Sequence, residues 1–391
     1  MNDFIYANKT ELVFGKDAEL KVGERLQGFG AKRVLICFGQ GSAEKSGLLQ
    51  RIESQLKKHG IDYVKYGGIC ANPLKSHTLQ GVQFAKDNHA DFILAIGGGS
   101  VIDAAKCIAA GAVNTNVWNF YDGTQSEDEL THALPVGAVL TIPAAGSEGS
   151  TASVIRDEKS GKKYAVSAEV LRPAFAFINP ELCKTLPPYQ IANGVSDILA
   201  HLMERYFSPQ EDIILTDKLL TGAMQAMFEI APKLYKNPQS YTNWAQLCLL
   251  GTLAHNGMLD IGRDIQDWAT HQIENTFLSG VYNIAHGAGL SIIFCAWLKT
   301  VANTKPKKIL QFCSEVLHAG GKDSQEIIAN GIRALESFYT SLNLPITLFD
   351  VQINADEVKK LVQSAYHEKT ILGGYGRLTK NNILQLIETA R

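Results

Sequence analysis

Four residues carry the chemistry most open to reading. Asp197 and His201 stand four apart in an apolar stretch, which puts both on one face of a helix. A carboxylate and an imidazole placed that way can share a divalent metal ion. Further on, His271 follows Asp267-Trp-Ala-Thr, and His286 precedes Gly287, each in apolar company. Buried imidazoles are uncommon without a partner. One oxygen and three nitrogens would nearly complete a metal's coordination and leave a place for substrate. The Asp197–His201 pair serves equally well as a plain helical ion pair, and spacing does not show that the four residues meet. His59, His77, His89 and His367 lie in polar segments and read as surface.

A second chemistry is written in glycine. Gly97, Gly98, Gly99 and Ser100 follow the apolar run 91–96 and precede an alanine-rich helical segment, 101–111. Glycine lets backbone approach closely, and the helix behind it turns free N–H groups and its positive dipole end toward the loop. A pyrophosphate fits such a place. The pattern is not GxGxxG, and a tight strand–helix turn without ligand uses the same residues. Gly39, Gln40, Gly41 and Ser42 close an earlier strand. No acid stands at that tip, whereas Gln40, Ser42 and Lys45 offer donors and a positive charge. An acid there would favour a ribose 2′-hydroxyl, so its absence points to NADP(H) over NAD(H). A third small, polar loop, 141–151, follows another strand.

The elements that must position these loops alternate in the first half. Apolar runs at 33–38, 61–66, 91–96 and 136–142 read as strands, and 47–59, 76–88 (capped by Ser76) and 101–111 as helices, which implies βαβ units and a parallel sheet. After Pro187 and Pro188 the texture becomes helical: 189–206, 212–235, 241–260, around 268–277, 287–302, 306–319, 324–342, 355–366 and 379–390. The boundary falls at 187, giving an α/β domain, 1–187, and an all-helical domain, 188–391.

Across 391 residues, 46% hydrophobic and 19% charged content supports large cores, and a net charge of −2 argues against nucleic acid or an anionic membrane as partner. No apolar run approaches the ~20 residues of a membrane span. The opening segment lacks the basic-then-apolar order of a secretory signal. The seven cysteines are scattered, contain no CxxC and sit mostly among apolar residues, as free thiols do in a reducing cytoplasm.

Segments 12–15, 97–103, 142–148, 171–180, 185–197, 267–271 and 285–287 together resemble the iron-dependent (group III) alcohol dehydrogenases, in the subgroup of butanol dehydrogenases and NADPH-dependent aldehyde reductases. The resemblance covers essentially the whole chain. It implies a dehydroquinate synthase-like fold, an N-terminal dinucleotide-binding α/β domain plus an all-α domain, with the active site between them. It implies reversible hydride transfer between NAD(P)(H) and a small aldehyde or alcohol, assisted by one divalent metal, Fe2+ or Zn2+, on Asp197, His201, His271 and His286. It places nucleotide contacts at Gly97, Gly98, Gly99, Ser100, Asp103, Thr141, Ser147 and Lys163. Gly39 stands where NAD-preferring relatives carry aspartate, and Gly41 and Ser42 where a 2′-phosphate is cradled. A homodimer through the N-terminal domain is implied as well.

Two departures bear on catalysis. Asn275 replaces a second histidine thought to relay the alcohol proton, and His255 is the candidate substitute. The interval from His271 to His286 is one residue longer than the resemblance leads one to expect, with the extra residue expected in a loop over 279–283. Trp268 is either a substrate-pocket wall or a core residue. Rival readings are a glycerol-type dehydrogenase or sugar-phosphate cyclase, for which only Arg205 and Arg263 offer nearby cations, and a non-catalytic metal- or nucleotide-binding protein.

Overall fold

The computed structural model describes residues 1–391. Its chain divides into two compact units. One comprises 7–185 together with 240–256; the other comprises 1–6, 186–239 and 257–391. The helix Tyr241–His255 therefore belongs with the first unit, not with the helical half as the boundary at 187 would have it. Its fully buried Trp244 and Cys248 explain why: a helix with an apolar face packs wherever a complementary core exists, and sequence order does not choose it.

The first unit is built on a six-stranded parallel sheet: β1 (Glu11–Phe14), β2 (Arg33–Gly39), β3 (Asp62–Ile69), β4 (Phe92–Gly97), β5 (Val136–Leu140) and, after the antiparallel hairpin β6 (Ala152–Arg156) and β7 (Lys163–Ser167), β8 (Phe175–Ile178). The spatial order is β1-β8-β5-β4-β2-β3. β4 and β5 are buried at every position, as central strands covered on both faces must be. β1 and the β6–β7 hairpin escaped the sequence reading because their half-buried patterns carry little apolar signal. Ser76 does not cap its helix: Lys75–Asp87 starts after Leu74, and the Glu158 carboxylate takes the Ser76 N–H.

Because β2, β4 and β5 are adjacent and parallel, the loops that follow them share one edge. The Thr141 N–H donates to the Gly97 carbonyl at 3.1 Å, which ties two of those loops together. A methyl group on Gly98 would stand 3.0 Å from Ile142 Cβ, and one on Gly99 equally close to Ala145 Cβ. Only glycine lets the loops approach this far.

Behind this edge lies a buried cation. Lys106, on the helix Gly99–Val113, donates to Ser147 Oγ at 2.9 Å, to the Ser150 carbonyl at 2.9 Å and to the Ala152 carbonyl at 2.7 Å. Burial pushes its ammonium down to about 8, against the pull of Asp103 and Glu148. This one group organises the loop that links β5 to β6. Replacing Lys106 with Met leaves two buried acids uncompensated and should cost about 3–5 kcal/mol. The check is the urea unfolding midpoint of the α/β unit; an unchanged midpoint would show that the cation organises nothing.

The second unit is helical: Pro188–Tyr206, Ile214–Lys236, Ala269–Ile273, His286–Ala302, Pro306–Gln311, Ser324–Ser341, Ala355–Ala365 and Lys380–Thr389. Two π-helical stretches, Glu274–Tyr282 and Phe312–Val316, interrupt the α-helical pattern. The first replaces the loop expected over 279–283. A π turn absorbs one extra residue within a helix, and residues 283–285 then break the helix before His286.

Candidate metal centre and dinucleotide loop

Asp197 and His201 lie on one face of the helix Pro188–Tyr206, deep in the unit. The short helix Ala269–Ile273 brings His271 to them, and His286 opens the helix His286–Ala302. Ligand atoms of Asp197, His201 and His271 all lie within 4.8 Å of one another. Asp197 Oδ1 is the common point: it stands 3.6 Å from His201 Nδ1, 3.9 Å from His271 Nε2 and 3.7 Å from His286 Nε2. These separations exceed hydrogen-bond length. A tetrahedral ion with bonds of ~2.1 Å spaces its ligands ~3.4 Å apart, and the three separations from Asp197 Oδ1 lie nearer that spacing. Asp197 Oδ1 and His271 Nε2 are buried without a hydrogen-bond partner, the state of atoms meant for a cation.

Two glutamates that the sequence reading passed over stand behind the histidines. Glu204 Oε1 accepts from His271 Nδ1 at 3.2 Å, and also from the Thr270 hydroxyl and the His271 N–H; its other oxygen takes the Trp268 N–H at 2.6 Å. Glu274 Oε2 accepts from His286 Nδ1 and from Ser279 Oγ at 2.9 Å. Both carboxylates are fully buried. Each fixes a tautomer and turns the opposite ring nitrogen toward Asp197. Burial opposes the charged form of His271, but Asp197 and Glu204 outweigh it and raise the group to about 9 in the absence of metal. The signal was present in outline: Glu204 and Glu274 each follow a candidate histidine by three residues. Nothing in one sequence shows that they face inward.

Around this centre the backbone is held hard. The Asp267 carboxylate accepts from the N–H groups of Ala269, Tyr375 and Gly376, at 3.1, 3.0 and 2.5 Å. Its burial and the nearby Glu204 charge push it up to about 7. Trp268 sits at φ 61°, a left-handed conformation rare for a bulky residue and one that active sites tend to store. Its half-buried indole packs 5.2 Å from the His271 ring and 6.0 Å from that of His201, with the Arg205 guanidinium 4.8 Å from its centroid. It is a wall of the metal centre rather than a distant core residue. Asn275 is half-buried in the π-helical stretch and takes no part in the hydrogen bonds that join the ligands to Glu204 and Glu274. His255 packs on Gly146 in the α/β unit.

In the α/β unit the nucleotide candidates divide into two kinds. Gly97, Gly98, Gly99 and Ser100 form the turn into the helix Gly99–Val113, whose first N–H groups have no acceptor within the helix. Thr141 lies beside them, and Gly39, Gly41 and Ser42 close the neighbouring β2. Asp103 and Ser147 bond to each other instead, Oγ to Oδ1 at 2.5 Å, and Asp103 also takes the Val154 N–H at 3.1 Å. They brace the loop. Lys163 opens β7, where its charge reaches Asp103. One expectation needs correcting: the β2 tip is not free of acid. A methyl group on Gly41 would stand 3.7 Å from the Glu44 carboxylate, because the one-turn helix Ser42–Lys45 folds Glu44 back over it.

Family models match both parts of the chain: the iron-containing alcohol dehydrogenase model over residues 9–180, and the C-terminal model of the Fe-containing alcohol dehydrogenase family over 191–391. The chain belongs to the iron-containing alcohol dehydrogenase family. It is an oxidoreductase of alcohols and aldehydes, using a metal and a nicotinamide cofactor. Similar proteins include the probable NADH-dependent butanol dehydrogenase 1 of Bacillus subtilis, 34% identical over the whole of both chains, and the NADPH-dependent aldehyde reductase YqhD of Escherichia coli, 33% identical over the same extent. The crystal structure of NADH-dependent butanol dehydrogenase A from Thermotoga maritima superposes with a TM-score of 0.94 at 33% identity, covering 100% of this chain and 99% of that one.

Glu204→Gln should weaken metal binding about 10- to 100-fold by loosening the His271 ring. Competition with a chelator, read as metal content, measures it. Retention of metal equal to the parent protein would deny Glu204 that role.

Proposed function

We propose that this chain reduces short, unphosphorylated aldehydes to primary alcohols, and catalyses the reverse, with NAD(H) or NADP(H) as nicotinamide and Fe2+ or Zn2+ on Asp197, His201, His271 and His286. The observation that carries this reading is the Asp197 Oδ1 atom, buried, unpartnered and within 4 Å of three imidazole nitrogens. When bound, the metal supplies Lewis acidity to the substrate oxygen, and the nicotinamide gives or takes the hydride.

The chain's own residues supply the rest. Asp197 and the three histidines form a neutralising donor set whose position is fixed from behind by Glu204 and Glu274. Trp268 gives the centre an apolar flank, suited to a short alkyl chain. The residues 97–100 turn offers backbone N–H groups to a pyrophosphate. Glycine at 39 and the Ser42 hydroxyl leave room at the β2 tip, where the Glu44 carboxylate beside Gly41 weighs on the choice between NAD(H) and NADP(H). Asn275 does not titrate, so the alcohol proton leaves through water or a substrate hydroxyl. Six of the seven cysteines are buried free thiols, which suits the cytoplasm. No helix is long and apolar enough to cross a membrane. β1 leaves one sheet edge open with Leu12 and Phe14 exposed, which supports a homodimer through the α/β unit.

The sugar-phosphate alternative is disfavoured by where its cations went. Arg205 is bound to Asp260 at 3.0 Å and to the His201 carbonyl at 3.2 Å, and Arg263 to Asp217 and the Tyr206 carbonyl. Both are buried and committed, so no guanidinium is left to meet a substrate phosphate.

Consumption of NADPH and NADH with butanal, on protein reloaded separately with Fe2+ or Zn2+, tests the reading. Metal-dependent turnover is expected, together with loss of both metal and turnover in His271→Ala; a metal-loaded protein inert toward short aldehydes would refute it. Trp268→Ala should keep its metal while raising the KM for butanal several-fold. An unchanged KM would place the indole outside the substrate's reach.

A further inference from the structure

The correction at the β2 tip has a functional consequence. Phosphate-binding turns and ribose-binding tips lie on adjacent strands in α/β dinucleotide sites, and an acid on the tip accepts from the adenosine 2′-hydroxyl while repelling a 2′-phosphate. Here the turn follows β4 and the tip follows β2, its immediate parallel neighbour. Gly39 brings the two together: a methyl group on it would touch Val101 Cγ2, in the first turn after the glycine loop, at 3.8 Å. Gly41, two residues on, holds φ 118°. That left-handed turn starts the helix Ser42–Lys45, and the Lys45 N–H returns to the Gly41 carbonyl at 2.9 Å.

Three charges surround the tip. Lys65, on β3, is bound to Glu53 at 3.0 Å and so is largely neutralised. Lys45 and Glu44 are both exposed and enter no ion pair. Of these two, the Glu44 carboxylate is the one that lies over Gly41. A carboxylate therefore stands over the tip at Gly41, although the residues at 39 to 42 are uncharged.

We infer that Glu44 is a cofactor-specificity residue of this chain, holding back NADP(H) and admitting NAD(H) by placing a carboxylate beside Gly41. The inference rests on the proposed nicotinamide-linked reading and adds to it the residue that sets the preference. Its mechanism is mutual: the carboxylate offers an acceptor to a 2′-hydroxyl and repels the dianion of a 2′-phosphate. At a separation of ~6 Å in a water-like dielectric the repulsion amounts to about tenfold in relative affinity.

The experiment uses the full-length, metal-loaded protein and its Glu44→Gln and Glu44→Lys variants. The ratio of kcat/KM for NADPH to that for NADH is measured with butanal. In parallel, the Kd of each reduced cofactor is read from its fluorescence without substrate. Glu44→Gln should raise the NADPH-to-NADH ratio about tenfold, with NADH itself bound more weakly, and Glu44→Lys should raise it further. A ratio unchanged within twofold in both variants overturns the inference. Equal weakening of both cofactors overturns it too, since Glu44 would then only hold the loop. If butanal is not turned over, the functional reading fails on its own, and the two Kd values still decide the role of Glu44.

Discussion

Everything in the helical unit is arranged around one oxygen. Asp197 Oδ1 is buried, has no hydrogen-bond donor, and faces three imidazole nitrogens at 3.6 to 3.9 Å. A carboxylate in that state is costly unless a cation completes it. Glu204 and Glu274 add two more buried acids behind the ring nitrogens. Three carboxylates and three imidazoles make sense together as a shell for a divalent ion, whose charge offsets the acids and whose bonds keep the histidines neutral.

The surrounding architecture follows from keeping that oxygen and those nitrogens in register. Glu204 lies on the same helix as Asp197 and His201, so one rigid element carries two candidate ligands and the carboxylate behind His271. Asp267 clamps the backbone of Tyr375 and Gly376 to the segment that delivers His271. Trp268 is forced to positive φ between the Glu204 carboxylate, which takes its N–H, and the Arg205 guanidinium. The π-helical stretch serves the same end. It begins at Glu274, whose carboxylate reaches the His286 ring.

The α/β unit meets a different demand, which in the proposed reading is to hold a flexible dianion with backbone. Its parallel sheet brings three loop ends to one edge, and close glycine contacts let those loops touch. Lys106 then fixes the β5–β6 loop from within, and Asp103 and Ser147 belong to that internal brace. The hydrogen bonds of these two residues run to each other and to the protein interior.

Several parts of this protein were legible in one dimension. Helical period placed Asp197 and His201 on one face, continuous apolar runs marked β2, β4 and β5, and glycine after a buried strand marked the turn into the helix Gly99–Val113. Each is a local rule, set by backbone geometry within a few residues. What one dimension could not decide were the contacts between distant segments. Glu204 and Glu274 read as ordinary helical acids until the fold turned them on His271 and His286. The helix Tyr241–His255 could join either unit, because an apolar helix carries no address. Glu44 lies outside the tip in sequence, and only the left-handed turn at Gly41 lays its carboxylate over it. Residue type and period determine which groups are available. Which of them meet is decided by tertiary packing, since burial makes an unpaired charge costly and so selects its partners across the chain.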